Sequence, residues 1–228
     1  MIGIIGAMDE EVAAVINHLD SKKTEVIYDI NFTLGKVDGK DVVVCQSGIG
    51  KVNASFSTAI LIDNFDVDFV INVGTAGGLN LDEKQGDVVV STAVANHDFD
   101  LTAFNRKIGE IPDMPHVFFA DENLVEKTVA ILKDDNVKYH LGLIVSGDQF
   151  ISKQEQVDFV KEHFENPLAG DMEASAIAQI CHKTKKPFIV TRCLSDVFGS
   201  GENSLQFDEY LKKAAQISAD ICVGLIRG

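Results

Sequence analysis

Six short apolar runs, most of them rich in Val and Ile, recur at residues 2–6, 42–46, 68–74, 87–94, 141–146 and 187–194. Several are apolar on both faces, as strands covered on both sides of a sheet must be. Between them lie stretches of helical period. Val12, Val15, Ile16 and Leu19 make one stripe, and residues 51–64, 121–134, 153–164, 173–184 and 205–226 read the same way. Strands alternating with helices leave little choice: a three-layer α/β fold, its central twisted sheet flanked by helices. Residues 25–37 read as an edge strand or hairpin arm that turns at Asp38-Gly39. Residues 96–119 contain Pro112 and Pro115 and show no period. A loop that long is functional or rests on a partner. The chain shows no linker, repeat or low-complexity tract, so one domain over 1–228 is expected.

In such sheets ligands collect at the carboxyl ends of the strands. Five stretches fall there: GAMDEEV (6–12), SGIGKVNA (47–54), NVGTAGGL (72–79), SGDQFIS (146–152) and SDVFG (195–199). A sixth, GDMEASAIA (170–178), opens a helix. The glycines match neither a dinucleotide fingerprint nor a phosphate loop. Gly74-Thr75-Ala76-Gly77-Gly78 instead makes a floor of small residues. Glu173 shares a helix face with Ile177, Ile180 and Cys181, which aims a carboxylate along an apolar stripe, suited to sugar hydroxyls. Asp196 follows an apolar strand, where a carboxyl of raised pKa would exchange a proton. In GAMDEEV, Glu10 points away from the stripe while Asp9 and Glu11 flank it, and helical angles do not choose between those two. Phe150 and Phe207 are candidate cleft aromatics. Met8 and Met172, each beside a candidate acid, suit an adaptable apolar wall.

The net charge of −15 argues against non-specific contact with nucleic acid or anionic membranes. Cys45, Cys181, Cys193 and Cys222 lie far apart in apolar surroundings, as buried reduced thiols do. The apolar start is too short for a secretory segment, and no run reaches the ~20 residues of a membrane span. A cytoplasmic protein is expected. His97-Asp98 has no further ligand at metal-binding spacing, so no metal site is expected there.

Over nearly its whole length the sequence resembles the 5′-methylthioadenosine/S-adenosylhomocysteine nucleosidases of the nucleoside phosphorylase family. The resemblance rests on GIIGAMDEEV, SGIGKVNA, NVGTAGGL with GDVVVS, HDFDLTAF, GLIVSGDQFI, DMEASAIAQ and SDV followed by LQFDEY. It implies a mixed, barrel-like sheet, a homodimer, and cofactor-free hydrolysis of the bond between adenine and the sugar. It further implies that Glu11 activates water, and that Asp196, positioned by Ser195, protonates adenine N7. Glu173 and Met172 would hold the ribose. Phe150 would stack on adenine, and the Ile151 backbone would pair with its edge. Met8, Ile49 and Phe207 would line the sugar and alkylthio side over a floor of Thr75, Ala76 and Gly77. Leu101, Phe104 and Pro112 would close the partner's pocket, accounting for the 96–119 loop. Gly170 and Phe198 depart from the family pattern; the first removes an apolar contact to the base and the second adds bulk near it. A phosphate-dependent phosphorylase, a weakly catalytic nucleoside-binding module, and 5′-deoxyadenosine or 6-amino-6-deoxyfutalosine as substrate are the competing readings. The acids of GAMDEEV argue against the first, because they would repel a phosphate dianion.

Overall fold

The structure, a computed structural model, describes residues 1–200 and 203–228. In chain order it runs β1 (Ile2–Gly6), α1 (Asp9–Ile16), β2 (Asp20–Ile27), β3 (Ile30–Val37), β4 (Lys40–Gln46), α2 (Lys51–Asn64), β5 (Phe69–Asn72) and β6 (Thr75–Gly78). It continues with β7 (Val88–Asn96), a 3-10 turn at Thr102–Phe104, β8 (Phe118–Phe119), α3 (Glu122–Asp134), β9 (Tyr139–Ser146) and α4 (Gln154–His163). The last elements are β10 (Pro167–Asp171), α5 (Ala174–Thr184), β11 (Phe188–Val197) and α6 (Asn203–Arg227).

Among the described residues eleven strands form one mixed sheet in the order β2-β3-β4-β1-β5-β11-β6-β10-β9-β7-β8, with an additional pairing of β11 to β7. That extra pairing closes β11, β6, β10, β9 and β7 into a ring. The expected barrel-like sheet is therefore present, with β5, β1, β4, β3 and β2 as an open wing. Strand β11 makes the closure possible. Its first residues pair in parallel with β5, Thr191–Cys193 pair antiparallel with β7, and Cys193–Val197 pair in parallel with β6. All ten of its residues are buried, which explains the long apolar run in the sequence. Helices cover both sides; α2 packs on α5, and α6 on α1 and β11. The four cysteines are free and buried. Burial pushes the Cys181 and Cys193 thiols up to about 12. No helix among the described residues is long and apolar enough to cross a membrane.

Several elements differ from the sequence reading. Residues 25–37 are not one arm. They span two strands, β2 and β3, which turn at Tyr28-Asp29, both at positive φ (48° and 63°). A Tyr-Asp pair carries no Asn-Gly signal, so the turn is hidden. The expected turn at Asp38-Gly39 does join β3 to β4. The small-residue floor is itself a strand, β6, and Pro167–Asp171 forms a further strand, β10. Glycine and proline mask both, since neither favours a strand in isolation. Asp196 lies within β11 rather than after it. Glu173 is the N-cap residue of α5, with φ −134°, and not a member of its first turn, so its aim is set by the cap and not by the helix face. The 96–119 segment holds one 3-10 turn and the two-residue β8.

Candidate active site

The ends of β1, β6, β10 and β11 converge on a cavity of about 310 Å³. Thirteen residues singled out in the sequence line it: Met8, Glu11, Ile49, Thr75, Ala76, Gly77, Phe150, Ile151, Met172, Glu173, Ser195, Asp196 and Phe207. Leu101, Phe104 and Pro112 are not among its lining residues, and Phe104 is 75% exposed.

Tertiary structure resolves the choice in GAMDEEV. Asp9 faces solvent, whereas Glu11 is 3% exposed. The Glu11 Oε2 accepts hydrogen bonds from Ala7 N–H at 2.8 Å and Met8 N–H at 3.1 Å. Its Oε1 accepts from Thr75 N–H at 2.9 Å and from the Thr75 hydroxyl at 3.3 Å. The Ala7 and Met8 amides belong to the helix-start region that elsewhere attracts anions. Here the chain's own carboxylate fills that place. Gly74 permits the approach, since a Cβ there would lie 2.8 Å from Glu11 Oε1. Burial raises the Glu11 pKa, with Arg192 and the bonds from the Thr75, Met8 and Ala7 amides pulling against it.

Asp196 is fully buried. The register between β11 and β6 jumps from Leu194↔Ala76 to Asp196↔Gly77. This bulge at Ser195 re-aims the strand and turns Asp196 into the cavity. The Ser195 hydroxyl donates to Asp196 Oδ1 at 2.8 Å. Gly77, the cross-strand partner, keeps room for it; a Cβ there would lie 3.1 Å from Asp196 Oδ2. Glu173 Oε1 accepts from Gly50 N–H at 2.9 Å. Its burial and the neighbouring Asp171 carboxylate push its pKa up to about 7.

Phe150 and Phe207 face one another nearly edge-on, with ring centroids 6.0 Å apart and planes at 77°. Gly170 lines the cavity beside them. The space a side chain would take there is filled by Ile151, whose Cδ1 would lie 2.7 Å from a Cβ. So the apolar contact that Gly170 lacks is supplied from the neighbouring loop. Phe198 does not line the cavity; with Ile151 it packs on the cluster around Leu79, so its bulk lies behind the wall.

The sequence reading missed one group, a buried cation and its partners. Arg192, 2% exposed, bonds Asp171 Oδ2 through Nε at 3.0 Å and through Nη2 at 2.7 Å. Asp171 also accepts from the Ser146 hydroxyl and the Ala174 amide, which caps α5. Asn72 Oδ1 and backbone carbonyls take the other guanidinium hydrogens. A lone Arg inside FIVTRCL was the available signal, because a charge in a buried strand must be paired. His97, flagged in the sequence beside Asp98, is 2% exposed and lies against Gly147. Among the described residues no group of three or more His, Cys, Asp or Glu is placed to hold a metal ion.

Comparison with known proteins gives a consistent picture. The family model of the phosphorylase superfamily matches residues 1–227. A 5′-methylthioadenosine/S-adenosylhomocysteine nucleosidase of Bacillus subtilis is 42% identical over 227 residues, covering 99% of this chain and 98% of its own. A solved nucleosidase of the same name from Colwellia psychrerythraea, in complex with adenine, is similar at TM-score 0.94 and 43% identity, covering 99% of this chain and 94% of its own. Another from Neisseria meningitidis, in complex with methylthio-immucillin-A, is similar at TM-score 0.94 and 38% identity, covering 99% and 98%.

Proposed function

This chain belongs to the phosphorylase superfamily, as one of its 5′-methylthioadenosine/S-adenosylhomocysteine nucleosidases, and on that footing we propose how its cavity divides the work. The reaction is hydrolysis of the N-glycosidic bond, releasing adenine and the thioribose. Such cleavage passes through an oxocarbenium-like state, which calls for one acid at the leaving group and one carboxylate at the water.

Asp196 donates a proton to adenine N7 as the C1′–N9 bond breaks, with the Ser195 hydroxyl fixing its orientation. Glu11 orders the attacking water and takes its proton. The raised pKa of Glu11 makes it a stronger base than an exposed carboxylate. Glu173 and Met172 hold the ribose, and a carboxylate beside its hydroxyls binds more tightly as the ring gains positive charge. Arg192 lies near enough to Glu11 and Glu173 to favour both anions, so a single buried cation balances the acid-rich cavity. Phe150 stacks on adenine, the Ile151 backbone pairs with its edge, and Met8, Ile49 and Phe207 face the sugar and the alkylthio group. Thr75, Ala76 and Gly77 form the floor.

The observation that carries this reading is the occupation of the Ala7 and Met8 amides by Glu11. A phosphate nucleophile would have to displace that carboxylate or sit beside it. Water meets no such repulsion. The chain acts as a single domain, a cytoplasmic homodimer in which Leu101, Phe104 and Pro112 close the partner's pocket. The exposure of Phe104 fits a residue that is covered by a second copy. The test is incubation with 5′-methylthioadenosine, with and without phosphate, following adenine and identifying the sugar. Free methylthioribose formed without phosphate is expected; a sugar 1-phosphate that requires phosphate would refute the role of Glu11.

A further inference from the structure

Gly50 and Lys51 open α2, and their amides serve two different carboxylates. Gly50 N–H donates into the cavity, to Glu173 Oε1 at 2.9 Å. Lys51 N–H donates to Asp148 Oδ1 at 2.8 Å, on the loop that carries Phe150 and Ile151. Asp148 N–H in turn donates to Asp98 Oδ2 at 2.8 Å. The Lys51 ammonium closes the circuit with an ion pair to Asp98 and a longer approach, 4.0 Å, to Asp148. The loops after β4, β7 and β9 therefore meet at one cation. None of Lys51, Asp98 and Asp148 lines the cavity.

Among the described residues the loop after β9 is also held by Ile151 packed on the Leu79 cluster, by the Phe150–Phe207 contact and by bonds at its two ends. Gly147 N–H bonds Asp171 C=O at 3.1 Å at its root, and Gln156 reaches it from α4. Residues 147–153 belong to no strand or helix. The Lys51 and Asp98 side chains are only 20% and 19% exposed, so solvent screens their pairing less than on an open surface. Burial works against the Asp98 anion, yet the bonds from Lys51 and the Asp148 amide outweigh it and keep its pKa below the usual value. Without the cation, the Asp98 and Asp148 carboxylates would lose the counter-charge they share and keep only backbone donors, and their mutual repulsion would push the loop outward. Gly50 is part of the same fit: its φ is +95°, and a Cβ would lie 3.2 Å from Asp148 Oδ1.

We propose that Lys51 is a positioning residue, and that with Asp98 and Asp148 it forms a clasp setting the Phe150–Ile151 loop over the base and holding Gly50 N–H on Glu173. This rests on the reading that Phe150 and Ile151 bind adenine. Lys51→Met, Lys51→Arg, Asp98→Asn and, as a reference, Phe150→Ala are compared by steady-state kinetics on 5′-methylthioadenosine, calorimetric binding of adenine, and thermal unfolding. Lys51→Met raises KM and the adenine Kd by about tenfold, less than the ~100-fold that a 1 Å misplacement can cost, while kcat changes less than KM. Asp98→Asn moves both the same way by a smaller factor, and it serves if Lys51→Met does not fold. Lys51→Arg, which keeps the charge, restores both. Weak adenine binding in Phe150→Ala with unchanged binding in Lys51→Met and Asp98→Asn overturns the clasp alone. Unchanged binding in Phe150→Ala overturns the adenine reading and the clasp with it. Equal impairment of Lys51→Arg and Lys51→Met shows that charge is not what acts, and also overturns the clasp.

Discussion

Glu173→Gln separates what the site needs from what the fold needs. The amide keeps an oxygen to accept the Gly50 N–H, so the local bond survives while the charge goes. Wild-type Glu173 is 8% exposed, and its carboxyl is pushed from 4.5 up to about 7 by burial and by Asp171. The sign follows from linkage. Below pH 4.5 the group is protonated in both folded and unfolded chains and costs nothing. As pH rises toward 7 the unfolded chain ionises freely while the folded one resists, and stability falls. Above 7 the loss is complete, about 3 kcal/mol. Glu173→Gln removes this dependence. Urea unfolding at fixed protein concentration should find the variant more stable than wild type by about 1 kcal/mol at pH 5 and about 3 kcal/mol at pH 8. The same substitution should lower kcat/KM by about a hundredfold, because the ribose loses an anionic acceptor. A stability difference that does not grow between pH 5 and pH 8 would refute the argument that this carboxylate is held at the expense of the fold.

Asp196→Asn should lower kcat by about a thousandfold with adenine affinity largely kept; near-wild-type turnover would remove Asp196 as the acid. Glu11→Gln should cost comparable activity and also stability, about 1–3 kcal/mol, since the amide turns a donor toward Ala7 and Met8 N–H or toward Thr75; chemical denaturation and rate measurement check both. Gly77→Ala puts a methyl 3.1 Å from Asp196 Oδ2 and should lower kcat more than it raises KM, an outcome that equal effects on both would contradict. Phe104→Ala should raise KM for 5′-methylthioadenosine while leaving adenine binding unchanged, and a fully active monomer by sedimentation would refute the shared pocket.

The sequence by itself determined the alternation of strands and helices, and hence the sheet class, because burial on both faces writes continuous apolar runs. It also placed the acids and small residues at strand ends, and the motif set then identified thirteen cavity residues in seven separate stretches. What it left open depended on chain segments far apart in sequence. Asp9 and Glu11 look alike in a helical projection; Glu11 is selected by the Ala7 and Met8 amides beside it together with Thr75 at the start of β6, with Gly74 leaving room for the approach. Ring closure depends on β11 leaving β5 to pair with β7 and then β6, which no local pattern encodes. Strands β6 and β10 escaped notice because their glycines disfavour a strand locally, while their neighbours in the ring impose one. The pairing of Arg192 with Asp171 spans 21 residues of chain, and the Lys51–Asp98 pairing spans 47. Periodicity reports which face of an element is buried; which charges meet beneath that face is decided only when the elements close around the cavity.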